Sequence, residues 1–94
     1  MQRYRHTIAG DTVTVHVPQN ADDLTAFLDW AQTTNRREAL ALDTETSGLD
    51  IYSTTFRLRT VQFGNATDAW VIPWERGDLF RSHALDVLRN GRAF

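Results

Sequence analysis

The sequence of 94 residues contains no cysteine, only two prolines and no apolar run long enough to cross a membrane. The lack of cysteine excludes disulfides and thiolate metal sites, and nothing points to an oxidising compartment. The N-terminus carries charge but lacks the apolar segment of a signal peptide. We therefore expect a soluble, cytoplasmic protein with no membrane partner.

The sequence also lacks a large excess of charge of either sign. The formal net charge is -2, from 10 basic and 12 acidic residues. A balance this close to zero gives no overall electrostatic attraction to nucleic acid, so any such function must depend on a local site. At 41% hydrophobic residues, the chain is sufficient for one small domain and too short for two.

The first third of the chain predicts a β-hairpin followed by a helix. Residues 4–17 alternate between apolar and polar side chains around the letters AGD, which indicates two strands joined by a glycine-containing loop. Asn20 is a good helix N-cap, and the apolar residues after it repeat with helical spacing to about Thr34. The expected buried positions are Val13, Val15 and Val17 in the hairpin and Leu24, Phe27, Leu28 and Ala31 in the helix.

The remainder of the chain predicts three strands and a second helix. The apolar letters ALAL indicate a strand covered on both faces, and hence a central strand. The segments FRLRTVQFG and AWVIPW alternate like strands, and Pro73 should end the second. Residues 78–89 have the spacing of an amphipathic helix, and Arg92 should begin a further strand. These elements predict an α/β fold with a mixed α+β sheet in a single domain, residues 1–94.

Two carboxylates stand at the end of the ALAL strand. Asp43 and Glu45 are two residues apart, so in a strand both side chains point to the same face. Such a pair is repulsive unless a cation neutralises it, and carboxylate oxygens are ligands that suit Mg²⁺ or Mn²⁺. The alternative is a solvated strand end, in which Ser47 and Asp50 make turn contacts. The three letters alone leave both interpretations open.

The order of elements and the motif together resemble a known family. Residues 39–94 are similar to the first part of the 3′–5′ proofreading exonuclease domain of family A DNA polymerases, within the ribonuclease H-like DEDD superfamily. The resemblance places this part of the domain at 37–94, preceded by the hairpin and helix at 1–36. The family's first motif, Asp-x-Glu-Thr-x-Gly-Leu, is matched by Asp43, Glu45, Thr46, Gly48 and Leu49.

The resemblance implies hydrolysis of phosphodiester bonds at a DNA 3′ end by a two-metal mechanism with Mg²⁺ or Mn²⁺. Asp43 and Glu45 would be catalytic metal ligands. Thr46 and Gly48 would form part of the substrate site, and Leu49 would wedge against the terminal bases of a single-stranded end. The same motif serves exonucleases of DNA and of RNA, so the type of nucleic acid stays open.

The chain departs from the family in lacking the later motifs, which supply a second aspartate, a third aspartate and a tyrosine or histidine. Little or no nuclease activity is therefore expected of these 94 residues without the remainder of a polymerase or exonuclease chain. The alternative function is a small non-catalytic binding or interaction protein that retains the exonuclease scaffold. An unpaired strand edge would then favour self-association.

Other side chains leave alternatives open. Arg57 and Arg59 share a strand face and could meet a phosphate backbone, although such a pair is ordinarily a solvated surface. His6 and His16 are possible cross-strand neighbours, without the companion ligands of a metal site. Trp70 is expected in the core, whereas Trp74 suits either the core or base stacking.

Overall fold

The computed structural model describes residues 1–8, 10–46 and 58–90. These residues form five strands, two α-helices and one short 3₁₀ helix, Trp74–Arg76. The strands are β1 (Gln2–Ile8), β2 (Asp11–Val17), β3 (Ala41–Thr46), β4 (Leu58–Gly64) and β5 (Asp68–Pro73), and the helices are α1 (Ala21–Asn35) and α2 (Asp78–Asn90). The predicted elements over the described ranges are confirmed, with boundaries shifted by a few residues.

The described strands make one mixed sheet in the order β1-β2-β5-β4-β3. β2 is parallel to β5, whereas β4 is antiparallel to both β5 and β3. β2, β5 and β3 therefore run in one direction, and their carboxyl ends lie at the same edge of the sheet. We call this edge the carboxyl edge. No described helix is long and apolar enough to span a membrane.

Both helices cover the same side of the sheet, which we call the helical face. Phe27 of α1 lies with its ring centroid 5.4 Å from that of Phe63 and 5.7 Å from that of Trp70. α2 packs against α1 and β5, and it contributes Phe80, Ala84 and Val87 to the same buried cluster. Alternation along β4 and β5 supplies the sheet side of this core, since every second residue points toward the helices. The core is completed by Leu24, Ala31, Leu40, Val61 and Ile72.

The local signals for α1 act as the sequence predicts. The side chain of Asn20 accepts the backbone N–H of Asp23 at 2.9 Å, which satisfies one of the free donors of the first turn. Asp23 in turn accepts the backbone N–H of Gln19 at 2.9 Å and pairs with the amino group of Met1 at 3.2 Å. The start of α1 is therefore fixed to the chain's own N-terminus.

The opposite side of the sheet, which we call the open face, carries no helix of the described residues. Val13, Val15 and Val17 point to it and are only half-buried, so the prediction of a buried valine face is wrong. Its physical reason is that both helices pack on the other side. The proposed pairing of His6 with His16 is also wrong, because His6 lies opposite Val13.

The prediction that ALAL begins a central strand does not hold among the described residues. β3 pairs with β4 alone and forms one edge of the sheet. Within the described ranges one face of this strand is covered: Leu40 is buried and Leu42 is half-buried on the helical face, whereas Ala41 is exposed. Continuous apolar letters resulted here from a small alanine between two leucines, not from coverage on both sides.

Candidate active site

Asp43 lies on the open face of β3, two residues after the exposed Ala41. Its side chain is exposed, and its Oδ1 accepts the backbone N–H of the next residue, Thr44, at 2.8 Å. The cross-strand neighbour of Asp43 is Gln62 of β4. A hard oxygen ligand therefore faces solvent, as metal binding requires.

A shallow depression of about 150 Å³ adjoins this carboxylate on the open face. Small residues of three neighbouring strands, Ala41, Gly64 and Ala69, leave the space. Gly64 also permits a close approach of β5, because a Cβ atom there would lie 3.2 Å from the backbone oxygen of Asp68. The depression gives room for a ligand beside Asp43, and no helix of the described residues covers it.

Glu45 follows at the carboxyl edge, where its backbone pairs with Thr60. The hydroxyl oxygen of Thr60 is buried and has no hydrogen-bond partner. Among the described residues only one other buried side-chain polar atom shares this property, the indole nitrogen of Trp70. Buried polar groups without partners are uncommon and call for an explanation. One of the two lies directly across from the motif.

The rest of the predicted site is only partly described. The backbones of Glu45 and Thr46 belong to β3, and their side chains lie outside the described residues, as do Gly48 and Leu49 entirely. Within the described ranges, no group of three or more His, Cys, Asp or Glu side chains is placed to hold a metal ion. Asp43 thus fits a magnesium or manganese ion as one ligand and does not make a complete site by itself.

A larger groove lies elsewhere among the described residues. A volume of about 310 Å³ lies between the two helices, and its lining includes Gln32, Arg36 and Asp86. α1 begins near the carboxyl edge and ends before β3 starts, so Arg36 lies toward the opposite edge of the sheet. We do not assign the site to this groove, because it contains none of the motif residues.

His16 makes a hydrogen-bonded network that the sequence did not reveal. Its Nε2 lies 2.8 Å from Oδ1 of Asp68, and its Nδ1 accepts the Nε–H of Arg3 at 3.1 Å. The imidazole also stacks on Trp70, with ring centroids 4.4 Å apart. No short-range pattern links His16 to Asp68, since 52 residues separate them. This network joins the hairpin to β5, and both ring nitrogens of His16 have protein side chains as partners.

Trp70 and Trp74 lie in different environments. Trp70 is 4% exposed and belongs to the core, as expected. Trp74 is half-buried, and the guanidinium of Arg81 lies 5.6 Å from its ring centroid. Arg81 also donates its Nε–H to the backbone oxygen of Trp74 at 2.9 Å. One face of the Trp74 ring is therefore occupied by a protein cation.

A mixed α+β sheet with an exposed aspartate near the carboxyl edge fits the class of ribonuclease H-like nucleases. Comparison with known proteins gives the particular family. The family model described as 3′-5′ exonuclease, from A-type DNA polymerases, matches residues 17–87, which is more than half of the chain. The chain therefore belongs to the 3′-5′ exonuclease family of A-type DNA polymerases, and the resemblance expected from the motif is confirmed.

Two curated relatives agree with this family. The chain is 49% identical over 80 residues to the DNA polymerase of Mycobacterium phage L5, which covers 85% of the chain and 13% of the relative. It is 45% identical over 92 residues to the DNA polymerase of Mycobacterium phage D29, covering 94% of the chain and 15% of the relative. The chain thus spans about one seventh of the length of these relatives. No solved structure matches it significantly.

Proposed function

We propose that the chain supplies the first part of a metal-dependent 3′-5′ exonuclease site that acts on a DNA 3′ end within a DNA polymerase. The 3′-5′ exonuclease family is metal-dependent. The observation that carries the proposal is the position of Asp43. Its carboxylate is exposed on the open face of β3, beside the depression, inside the matched range.

Asp43 and Glu45 are assigned as the metal ligands of this chain. Magnesium or manganese, when bound, would polarise the scissile phosphate and activate the attacking water. Asp43 would hold its cation on the open face, and the Thr44 N–H would keep its Oδ1 oriented. Thr46, Gly48 and Leu49 are assigned to the terminal nucleotide and stay predictions. Single-stranded DNA is the proposed substrate, since an apolar residue at position 49 can separate frayed bases.

The proposed partner of the chain is the remainder of a polymerase polypeptide, because two carboxylates are fewer ligands than a two-metal site needs. We expect the 94 residues by themselves to hydrolyse DNA slowly or not at all. The division into 1–36 and 37–94, and action in the cytoplasm, remain part of the proposal.

A second candidate function is self-association through β3. Among the described residues, one side of this strand has no neighbour in the sheet, so its N–H and C=O groups can pair with a second chain. Sedimentation of the 94-residue chain over a range of concentrations tests this candidate. A monomer throughout that range excludes it.

A Mn²⁺ titration followed by electron paramagnetic resonance tests the metal site. We expect weak binding by the unchanged chain and at least tenfold weaker binding by Asp43→Asn. Asp29→Asn is the matched control, since Asp29 is an exposed carboxylate on α1. Equal Mn²⁺ binding by the unchanged chain and Asp43→Asn would remove Asp43 from the proposed site.

A further inference from the structure

Arg59 stands at an irregularity in the ladder between β3 and β4. Glu45 pairs with Thr60. The next residue, Thr46, pairs with Leu58 instead of Arg59. Arg59 is thus an extra residue on β4, the arrangement of a β-bulge, and bulges re-aim side chains beside functional sites. Because β4 is the neighbour of β3 in the sheet, the Arg59 backbone lies roughly one strand spacing, about 5 Å, from the β3 backbone at the motif.

Arg59 differs from Arg76 and Arg81, two other described arginines near the carboxyl edge. Arg76 donates to the side chain of Gln19 at 3.0 Å and lies over the ring of Phe80. Arg81 is held by Trp74, as described above. Arg59 is exposed and makes no hydrogen bond or ion pair with any described residue. Its exposed guanidinium can be approached by an anion.

Thr60, the next residue along β4, gives a second and independent observation. Alternation places Thr60 on the open face, two residues from Gln62 and hence on the same side as Asp43. Its buried hydroxyl has no partner. Rotation about χ1 would be needed to turn this hydroxyl toward a ligand on the open face, where an acceptor oxygen would be the partner that the O–H donor lacks.

We propose that Arg59 and Thr60 bind the phosphate backbone of the DNA strand next to Asp43, with Arg59 supplying charge and Thr60 a neutral hydrogen bond. This inference rests on the proposed function, since it takes the exonuclease substrate as its ligand. A guanidinium presents two parallel N–H donors to a phosphate, which fixes orientation as well as attracting charge. Both residues bind the substrate in this assignment, and neither is a ligand of the metal ion.

The test is binding of fluorescein-labelled oligothymidylate to the 94-residue chain in EDTA, followed by anisotropy over a series of salt concentrations. Each phosphate contact to a cation contributes about 0.7 to the slope of log K against log salt for single strands. Arg59→Gln should lower this slope by about 0.7, and Arg59→Lys should restore most of it. Arg37→Gln, an exposed arginine near the amino end of β3, should leave the slope unchanged.

Thr60→Val separates the neutral contact from the charged one. It removes the hydroxyl with little change of shape, so the protein should be as stable as before or more so, since no internal hydrogen bond is lost. Oligothymidylate binding should weaken about threefold to tenfold at every salt concentration, with the slope unchanged, if one neutral hydrogen bond is removed.

The inference is overturned if Arg59→Gln and Arg37→Gln have equal slopes, if Thr60→Val binds like the unchanged chain, or if the unchanged chain does not bind at low salt. The Mn²⁺ titration keeps this failure apart from failure of the proposed function. If Mn²⁺ still binds at Asp43 but Arg59→Gln leaves the salt slope unchanged, only the proposed phosphate contacts are disproved. If Mn²⁺ binds equally well to the unchanged chain and to Asp43→Asn, the proposed exonuclease site itself is disproved.

Discussion

Val61 and Val15 are both strand valines of one sheet, yet Val61 is 3% exposed whereas Val15 is only half-buried. The difference follows from the side to which each residue points. Val61 faces α1 and α2, together with the aromatic cluster of Phe27, Phe63 and Trp70. Val15 faces the open side, which among the described residues has no helix over it.

The two faces of the sheet have different roles, since the helical face stabilises the fold and the open face carries the proposed site. Residues on the helical face exclude water and form the core, so their substitution should unfold the protein. The open face exposes Asp43 and a depression with small walls, where a charged substrate and its cation can approach. Substitutions there should alter binding while the fold remains.

Phe27→Ala should produce the largest effect on stability. Phe27 is fully buried and contacts the rings of Phe63 and Trp70 in the sheet, and a buried Phe→Ala change typically costs about 3 to 5 kcal/mol. Small domains have little more stability than this in total, so much of the variant should be unfolded at room temperature. Urea titration followed by circular dichroism measures it. A loss below 1 kcal/mol would contradict the assigned core.

A matched pair of valine substitutions compares the faces directly. Val61→Ala should destabilise the protein by about 1.5 to 3 kcal/mol, because two methyl groups leave a packed site. Val15→Ala removes the same atoms from a half-buried site and should cost less than about 1 kcal/mol. Thermal unfolding of both variants provides the measurement. Equal losses would show that something covers the open face in solution.

Asn20→Ala tests the cap that starts α1 on the helical face. Loss of the hydrogen bond to the Asp23 N–H should cost about 1 kcal/mol, whereas Asn20→Gly should cost only a few tenths. The unfolding midpoint in urea reports both values. If alanine and glycine prove equally harmless, the cap is not contributing to stability.

The smallest effect depends on pH. The backbone N–H of Gln19, assisted by the amino group of Met1, holds the pKa of Asp23 below its ordinary value of 3.8, although burial opposes this. Because the folded-state pKa is the lower one, the ionised carboxyl stabilises the fold above pH 3.8. This contribution is lost as pH falls through the folded-state value.

Asp23→Asn should therefore be less stable than the unchanged chain near neutral pH, and the difference should fade on acidification below about pH 3.8. Asp22→Asn is the control, since Asp22 is an exposed acid of the same helical turn. Thermal midpoints over a pH series give the comparison. A difference that grows toward acid would have the wrong sign for a depressed pKa.

The sequence predicted the helices and strands well, because the signals that start, continue and end them lie within a few residues of one another. The cap at Asn20, the helical spacing of Leu24 and Phe27, and the strand end at Pro73 all depend on neighbours in sequence. The prolonged alternation of β4 likewise identified an antiparallel strand.

Features that depend on distant residues were missed. Nothing in the hairpin indicates which face the helices will choose, so the burial of Val15 was overestimated. The contact of His16 with Asp68 and the register shift at Glu45 arise only when strands pair. The motif at Asp43 was found because its residues are adjacent, and the bulge that places Arg59 beside it was not, because a bulge is a property of two strands.

Backbone NMR with paramagnetic Mn²⁺ tests the division of the two faces most directly. Broadening falls steeply with distance from the ion, so the amide signals that disappear first locate it. We expect the amide signals of Asp43, Thr44 and Gln62 to disappear first, while the signals of α1 and α2 remain. Asp43→Asn should not show this pattern. Broadening centred on Asp22, Asp78 or another surface acid, with the Asp43 signals intact, would contradict a metal site on the open face.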